Sequence, residues 1–79
     1  MRIDKFLKVS RLIKRRTVAQ EACDGGRVTV NGKTAKPSTE VKVGDVVAVQ
    51  FGERRVTVEV LDLRESVGKA DAAGMYREI

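Results

Sequence analysis

Residues 2–38 read RIDKFLKVSRLIKRRTVAQEACDGGRVTVNGKTAKPS, and within them the hydrophobic period changes from helical to alternating. Ile3, Phe6, Leu7, Val9 and Ile13 have the spacing of one apolar helix face over 3–13. Asp4, Lys5, Lys8, Arg11 and Arg15 fall on the opposite side. A second helix is expected from about Val18 to Asp24, opened by a capping box between Thr17 and Gln20 and closed by Gly25-Gly26. From Arg27 the pattern alternates. Val28 and Val30 share a strand face, and Asn31-Gly32 predicts a tight hairpin because both residues accept left-handed torsions. Lys33-Thr34-Ala35 returns, and Lys36-Pro37-Ser38 leaves the ladder.

Downstream, Val41 and Val43 alternate before a Gly44-Asp45 turn, and Val47, Val49 and Phe51 alternate through another strand. Gly52-Glu53 then turns the chain into a long strand carrying Val56, Val58 and Val60. In the tail, the alanine-rich stretch 69–75 predicts a short helix weakened by Gly68 and Gly74, with Tyr76 as an anchor against the sheet. The fold class is therefore α+β. Two short N-terminal helices pack on a small, mostly antiparallel sheet, giving one domain over 1–63 and a C-terminal tail over 64–79.

Charge is confined to the helical part. Residues 1–16 hold seven basic residues and one acid, for +6, while 17–79 hold nine basic and ten acidic residues, for −1. A polyanion is the natural partner of such a surface, because each neutralised phosphate releases condensed counterions. Arg11, Arg15 and Arg16 offer planar forks for bidentate phosphate contact, and Lys5, Lys8 and Lys14 act as point charges. A flat pair of basic helices beside a hairpin suits the backbone of structured RNA. The competing readings are a solvated charged face and a protein-interaction module whose basic helix docks an acidic partner or an anionic membrane surface. The lack of Trp and the modest apolar face of the first helix argue against the membrane version.

Other chemistry has little to work with. Histidine is absent, the one cysteine (Cys23) builds neither a disulfide nor a zinc site, and no P-loop glycine pattern occurs. No apolar run approaches the roughly 20 residues of a membrane span, and the N-terminus lacks the apolar core of a signal peptide. The expectation is a cytoplasmic, monomeric binding factor with no cofactor, no membrane association and no enzymatic activity. Phe6 is expected in the core, and Cys23 is expected to be a small hydrophobe. Asp4 has two readings, an N-cap or ion-pair partner that orients arginines, or a hydrogen-bond acceptor for a ribose hydroxyl. Arg27 and Lys33 flank the hairpin and either touch RNA or decorate a strand face.

The order Arg2-Ile3-Asp4-Lys5-Phe6-Leu7, Ser10-Arg11, Lys14-Arg15-Arg16, Ala19, Gly26-Arg27-Val28, Val30-Asn31-Gly32, Lys36-Pro37-Ser38 and Gly44-Asp45 resembles the ribosomal-protein-S-four-type RNA-binding domain, whose contact core is called the αL motif. The likeness covers roughly residues 1–50. Within that family it is greatest to stand-alone members of bacterial ribosome-associated quality control. The related heat-shock factors of the Hsp-fifteen type typically carry Trp near Phe6 and a longer basic C-terminal extension. The resemblance moves Arg2 into the RNA-contact set. It implies association with the large ribosomal subunit obstructed by peptidyl-tRNA, contact with its rRNA and that tRNA, and a functional partner, RqcH, which delivers alanyl-tRNA for C-terminal tailing. The runner-up is an Hsp-fifteen-like role in recycling free large subunits.

Overall fold

The computed structural model describes residues 1–64 and 68–79. Residues 65–67 of the expected tail lie outside the described residues. Helices α1 (Ile3–Val9) and α2 (Arg16–Asp24) precede strands β1 (Val28–Val30), β2 (Lys33–Thr34), β3 (Val46–Phe51) and β4 (Arg54–Val60). A short helix α3 (Lys69–Ala72), a 3-10 turn (Ala73–Met75) and strand β5 (Tyr76–Glu78) complete the chain. All strands pair antiparallel in the order β2-β1-β3-β4-β5.

The valine alternation sets the register. Val28 lies opposite Val49, which lies opposite Val56. One pleat along, Val30 faces Val47 and Val47 faces Val58. Side chains of one parity therefore form a continuous apolar face. Ile3, Phe6 and Leu7 of α1 and Ala19, Ala22 and Cys23 of α2 pack on that face, all buried. The expectations for Phe6 and Cys23 hold.

Helix α1 is shorter than its periodicity suggests. It ends at Val9, where the Ser10 hydroxyl donates to the Leu7 carbonyl at 3.3 Å and Arg11 turns left-handed at φ +64°. The Ile13 amide then folds back to the Leu7 carbonyl at 3.0 Å. Ile13 reaches the core from this turn, so the apolar spacing persisted after the helix had stopped. At the other end, the amides of Ile3 and Asp4 donate to the carbonyls of Thr39 and Pro37, at 2.7 and 3.3 Å. The segment after β2 thus satisfies donors that a helix N-terminus leaves open.

Three further differences have local causes. The Thr17–Gln20 capping box does not form: α2 begins at Arg16 without a side-chain cap, and the Gln20 amide is committed to Asp4. Val41 and Val43 make no strand, because the Asp45 carboxylate takes the Lys42 amide at 2.9 Å. Val41 is buried, while Val43 is 61% exposed. The tail is part of the sheet: Met75 is fully buried, and β5 pairs with β4, placing Tyr76 opposite Val60.

The Asn31-Gly32 hairpin forms as expected, with φ +51° and +83°. Its Asn31 side chain donates to Asp45 at 3.1 Å and accepts from the Val46 amide at 2.9 Å, tying the hairpin to the next turn. Gly32→Val has open space but an unfavourable torsion. It is expected to lower stability by about 1–3 kcal/mol, read as a fall in the denaturant midpoint at constant m-value.

Candidate nucleic-acid interface

The candidate interface is organised around a buried acid. Asp4 sits in the first turn of α1 with its side chain fully buried. Its carboxylate accepts from the Lys5 amide at 2.7 Å, from Gln20 Nε2 at 3.0 Å, from Arg2 Nη2 at 3.2 Å and from Arg16 Nε at 3.3 Å. Burial pushes the Asp4 pKa up. The hydrogen bonds from Gln20, Arg16 and the Lys5 amide, with the charge of Arg16, outweigh it and hold the group below its ordinary value. The carboxylate is therefore charged at neutral pH, and it clasps the start of α1 to the start of α2.

Of the two readings of Asp4, this geometry agrees with the partner that orients arginines. With its side chain fully buried, the Asp4 carboxylate faces its protein donors and presents no surface of its own to a partner. Its two arginines are about half exposed, 47% for Arg2 and 42% for Arg16. Each spends one edge of its guanidinium on Asp4 and keeps donors for a partner outside.

The remaining cations surround this clasp. Lys8 lies on α1, Arg11 and Lys14 lie in the connection, and Arg15 immediately precedes α2, all exposed. Lys5 is half-buried beside Asp4. Among the described residues, the side chains of Lys8, Arg11, Lys14 and Arg15 have no hydrogen-bond or ion-pair partner in the protein. Desolvating a cation needs a compensating anion, so these are groups that an external polyanion can satisfy. Arg27 and Lys33 are exposed but stand apart from the clasp. The Arg27 guanidinium lies against Gly25 at the C-terminal end of α2, where a cation complements the helix dipole. Lys33 lies on the edge strand β2.

Arg11 carries a backbone conformation that usually falls to glycine. A non-glycine residue in the left-handed region costs about 1–2 kcal/mol, and this one caps α1 where a C-terminal glycine is common. Arg11→Gly is therefore expected to raise stability by about 1 kcal/mol while weakening binding to RNA. Chemical denaturation and a binding isotherm on the same variant check both halves.

Sequence reasoning missed two parts of this surface. A depression of about 610 Å³ between the end of α2 and residues 34–38 is lined by Arg2, Lys36 and Ser38 among others, so Lys36 extends the basic face past Arg2. Gln20, read as a capping residue, is a positioning residue for Asp4. The signal for Lys36 was the Lys36-Pro37-Ser38 stretch among the residues that carry the family resemblance. Gln20 had none, because its partner is sixteen residues away. Cys23 takes no part: burial, with Asp4 and Asp24 adding to it, pushes its thiol up to about 11. Among the described residues no cluster of three or more His, Cys, Asp or Glu side chains could hold a metal ion, and no helix is long and apolar enough to cross a membrane.

Two short helices clasped through a buried acid, presenting unpaired cations beside a tight hairpin, define a small S4-type RNA-binding module. Residues 1–47 match the sequence model of the S4 domain. The chain is 57% identical over 79 residues to the RQC P-site tRNA stabilizing factor of Streptococcus pneumoniae, covering 100% of this chain and 90% of that one. It is 57% identical over 76 residues to the factor of the same name from Halalkalibacterium halodurans, covering 96% and 86%. Its fold superposes on the trimeric structure of Vibrio cholerae heat shock protein 15 with a TM-score of 0.92, at 32% identity over 100% of this chain and 81% of that one. The chain belongs to the S4-domain family, in the branch of these stabilizing factors.

Proposed function

We propose that the chain acts in bacterial ribosome-associated quality control. It binds large ribosomal subunits that still carry peptidyl-tRNA, contacts both rRNA and that tRNA, and supports C-terminal alanine tailing alongside RqcH. The observation that carries this reading is the set of unpaired cations Lys8, Arg11, Lys14 and Arg15 around the Asp4 clasp that presents Arg2 and Arg16. The relatives' name, P-site tRNA stabilizing factor, supplies the setting. Arg2, Lys5, Lys8, Arg11, Lys14, Arg15 and Arg16 are the contact residues of this reading, with Arg27 and Lys33 at its hairpin margin and Asp4 as a positioning residue. A basic wedge between two RNA backbones relieves their mutual repulsion and fixes the position of one against the other. In this reading the chain binds without catalysis, as a cytoplasmic monomer with no cofactor.

The test is a reporter made from a message lacking a stop codon, followed in a strain deleted for the gene. Alanine tails are expected to disappear, to return with the wild-type chain, and to stay absent with Lys8, Arg11 and Arg15 all changed to Ala. Normal tailing in the deletion strain would sink the reading. The likeness to heat shock protein 15 favours one second reading, recycling of free large subunits. That role would show as free subunits accumulating after heat shock while tailing continued.

A further inference from the structure

The helices stop covering the sheet before its end. On the core-facing side of β3, Val47 and Val49 are buried while Phe51 is 40% exposed. Beyond Phe51 a groove of about 390 Å³ opens between the α1–α2 connection and strands β3, β4 and β5. Leu12, Phe51, Val56 and Tyr76 form its apolar lining, and Arg11 and Arg54 flank them.

Two features of the groove are its own, and a third joins it to the basic helical face. The chain has three aromatic residues; Phe6 is fully buried and the other two line this groove. Among the described residues, the Arg54 side chain, like that of Arg11, has no partner in the protein. Arg11 is also held left-handed, at φ +64°, a conformation maintained against its torsional preference at the point where the groove meets the basic face. Two guanidiniums against one carboxylate, that of Glu78, leave the groove with a net positive charge. Its volume lies at the lower end of the ~300–1,000 Å³ of small-ligand sites.

We propose that this groove takes one unstacked nucleotide of the RNA lying on the basic face, its base against Phe51 and Tyr76 and its phosphate between Arg11 and Arg54. The inference rests on the RNA-binding reading above and adds a site to it. Aromatic faces beside arginines are how proteins hold bases that have left a helix, and stacking tolerates any base.

The experiment compares two RNA hairpins that differ only by one bulged adenosine, bound to the full chain. Affinity is read from a fluorophore on the RNA, and base contact from Tyr76 emission, since the chain has one Tyr and no Trp. The bulge is expected to tighten binding about tenfold and to quench Tyr76. Phe51→Leu, a change at a partly exposed site, is expected to lose that tenfold and bind the plain hairpin as the wild type does. Arg54→Ala is expected to lose part of it. Equal affinity of the wild type for both hairpins would overturn the groove and leave the basic face standing. Binding to neither hairpin nor to ribosomal particles would overturn both. A concentration-dependent dimer in sedimentation that Phe51→Leu abolishes would assign the groove to a second copy and overturn the proposal.

Discussion

A chain in which Lys8, Arg11 and Arg15 are all alanine is expected to fold normally and to bind ribosomal particles on the order of a hundredfold more weakly, taking ~1 kcal/mol for each lost phosphate contact. All three side chains are exposed and unpartnered within the protein, so stability is expected to stay within about 0.5 kcal/mol per site. Arg16 is left in place because it holds Asp4, and its removal would mix folding with binding. If about five phosphates are neutralised, log K for the wild type should fall with log salt at a slope of roughly −4. Loss of three contacts should bring that near −2, taking the duplex coefficient as a guide for RNA. Co-sedimentation across a salt series reads both quantities. A variant with wild-type affinity and slope would remove the basic face from the account.

The clasp is expected to matter as much for the fold as for the face. Asp4→Ala removes the acceptor of the Lys5 amide and of Gln20 and leaves those donors short of partners, at about 1–3 kcal/mol for a buried group. Arg2 and Arg16 are half exposed and return to water, which limits the rest. The expected loss is about 2–3 kcal/mol. In a domain of this size that lowers the melting temperature by roughly 10–20 °C. Asp4→Asn keeps an acceptor oxygen and loses the charge, so it should fall between.

The pH dependence gives the second readout. The folded carboxyl ionises at lower pH than the unfolded one, whose value is about 3.9. Its stabilisation is therefore complete above that pH and is lost as pH falls through the folded value. The gap between wild type and Asp4→Asn should close below about pH 4. A gap that stays constant into acid would mean that the Asp4 charge does not hold the clasp.

The elements that were legible in the sequence are those specified within a few residues. Gly25-Gly26, Asn31-Gly32 and Gly52-Glu53 each mark a turn whose torsions the residues themselves select, and the valine alternation between them set three strands in register. The parts that were not legible depend on partners far away in the chain. Periodicity carried α1 on to Ile13, because it records which residues are buried and Ile13 is buried from a turn. Gln20 has the spacing of a cap, yet its Nε2 donates to Asp4, which draws the side chain toward α1 and away from the backbone amide that a capping box would offer its Oε1. Strand β5 is three residues, with Arg77 and Glu78 exposed, and pairing with β4 supplies what its own pattern lacks. The site was legible as a charge cluster. What the charges do individually was not: Asp4 sits among surface cations in the sequence and at the centre of the clasp in the fold.

The most direct test of the central claim is a cryo-EM map of ribosomal particles purified through this protein. The expected map shows a large subunit carrying tRNA, with the surface of α1, the connection and the start of α2 against RNA backbone, and with Arg2 and Arg16 reaching outward from Asp4. A map in which that surface faces solvent, or faces a protein while RNA lies elsewhere, would contradict it.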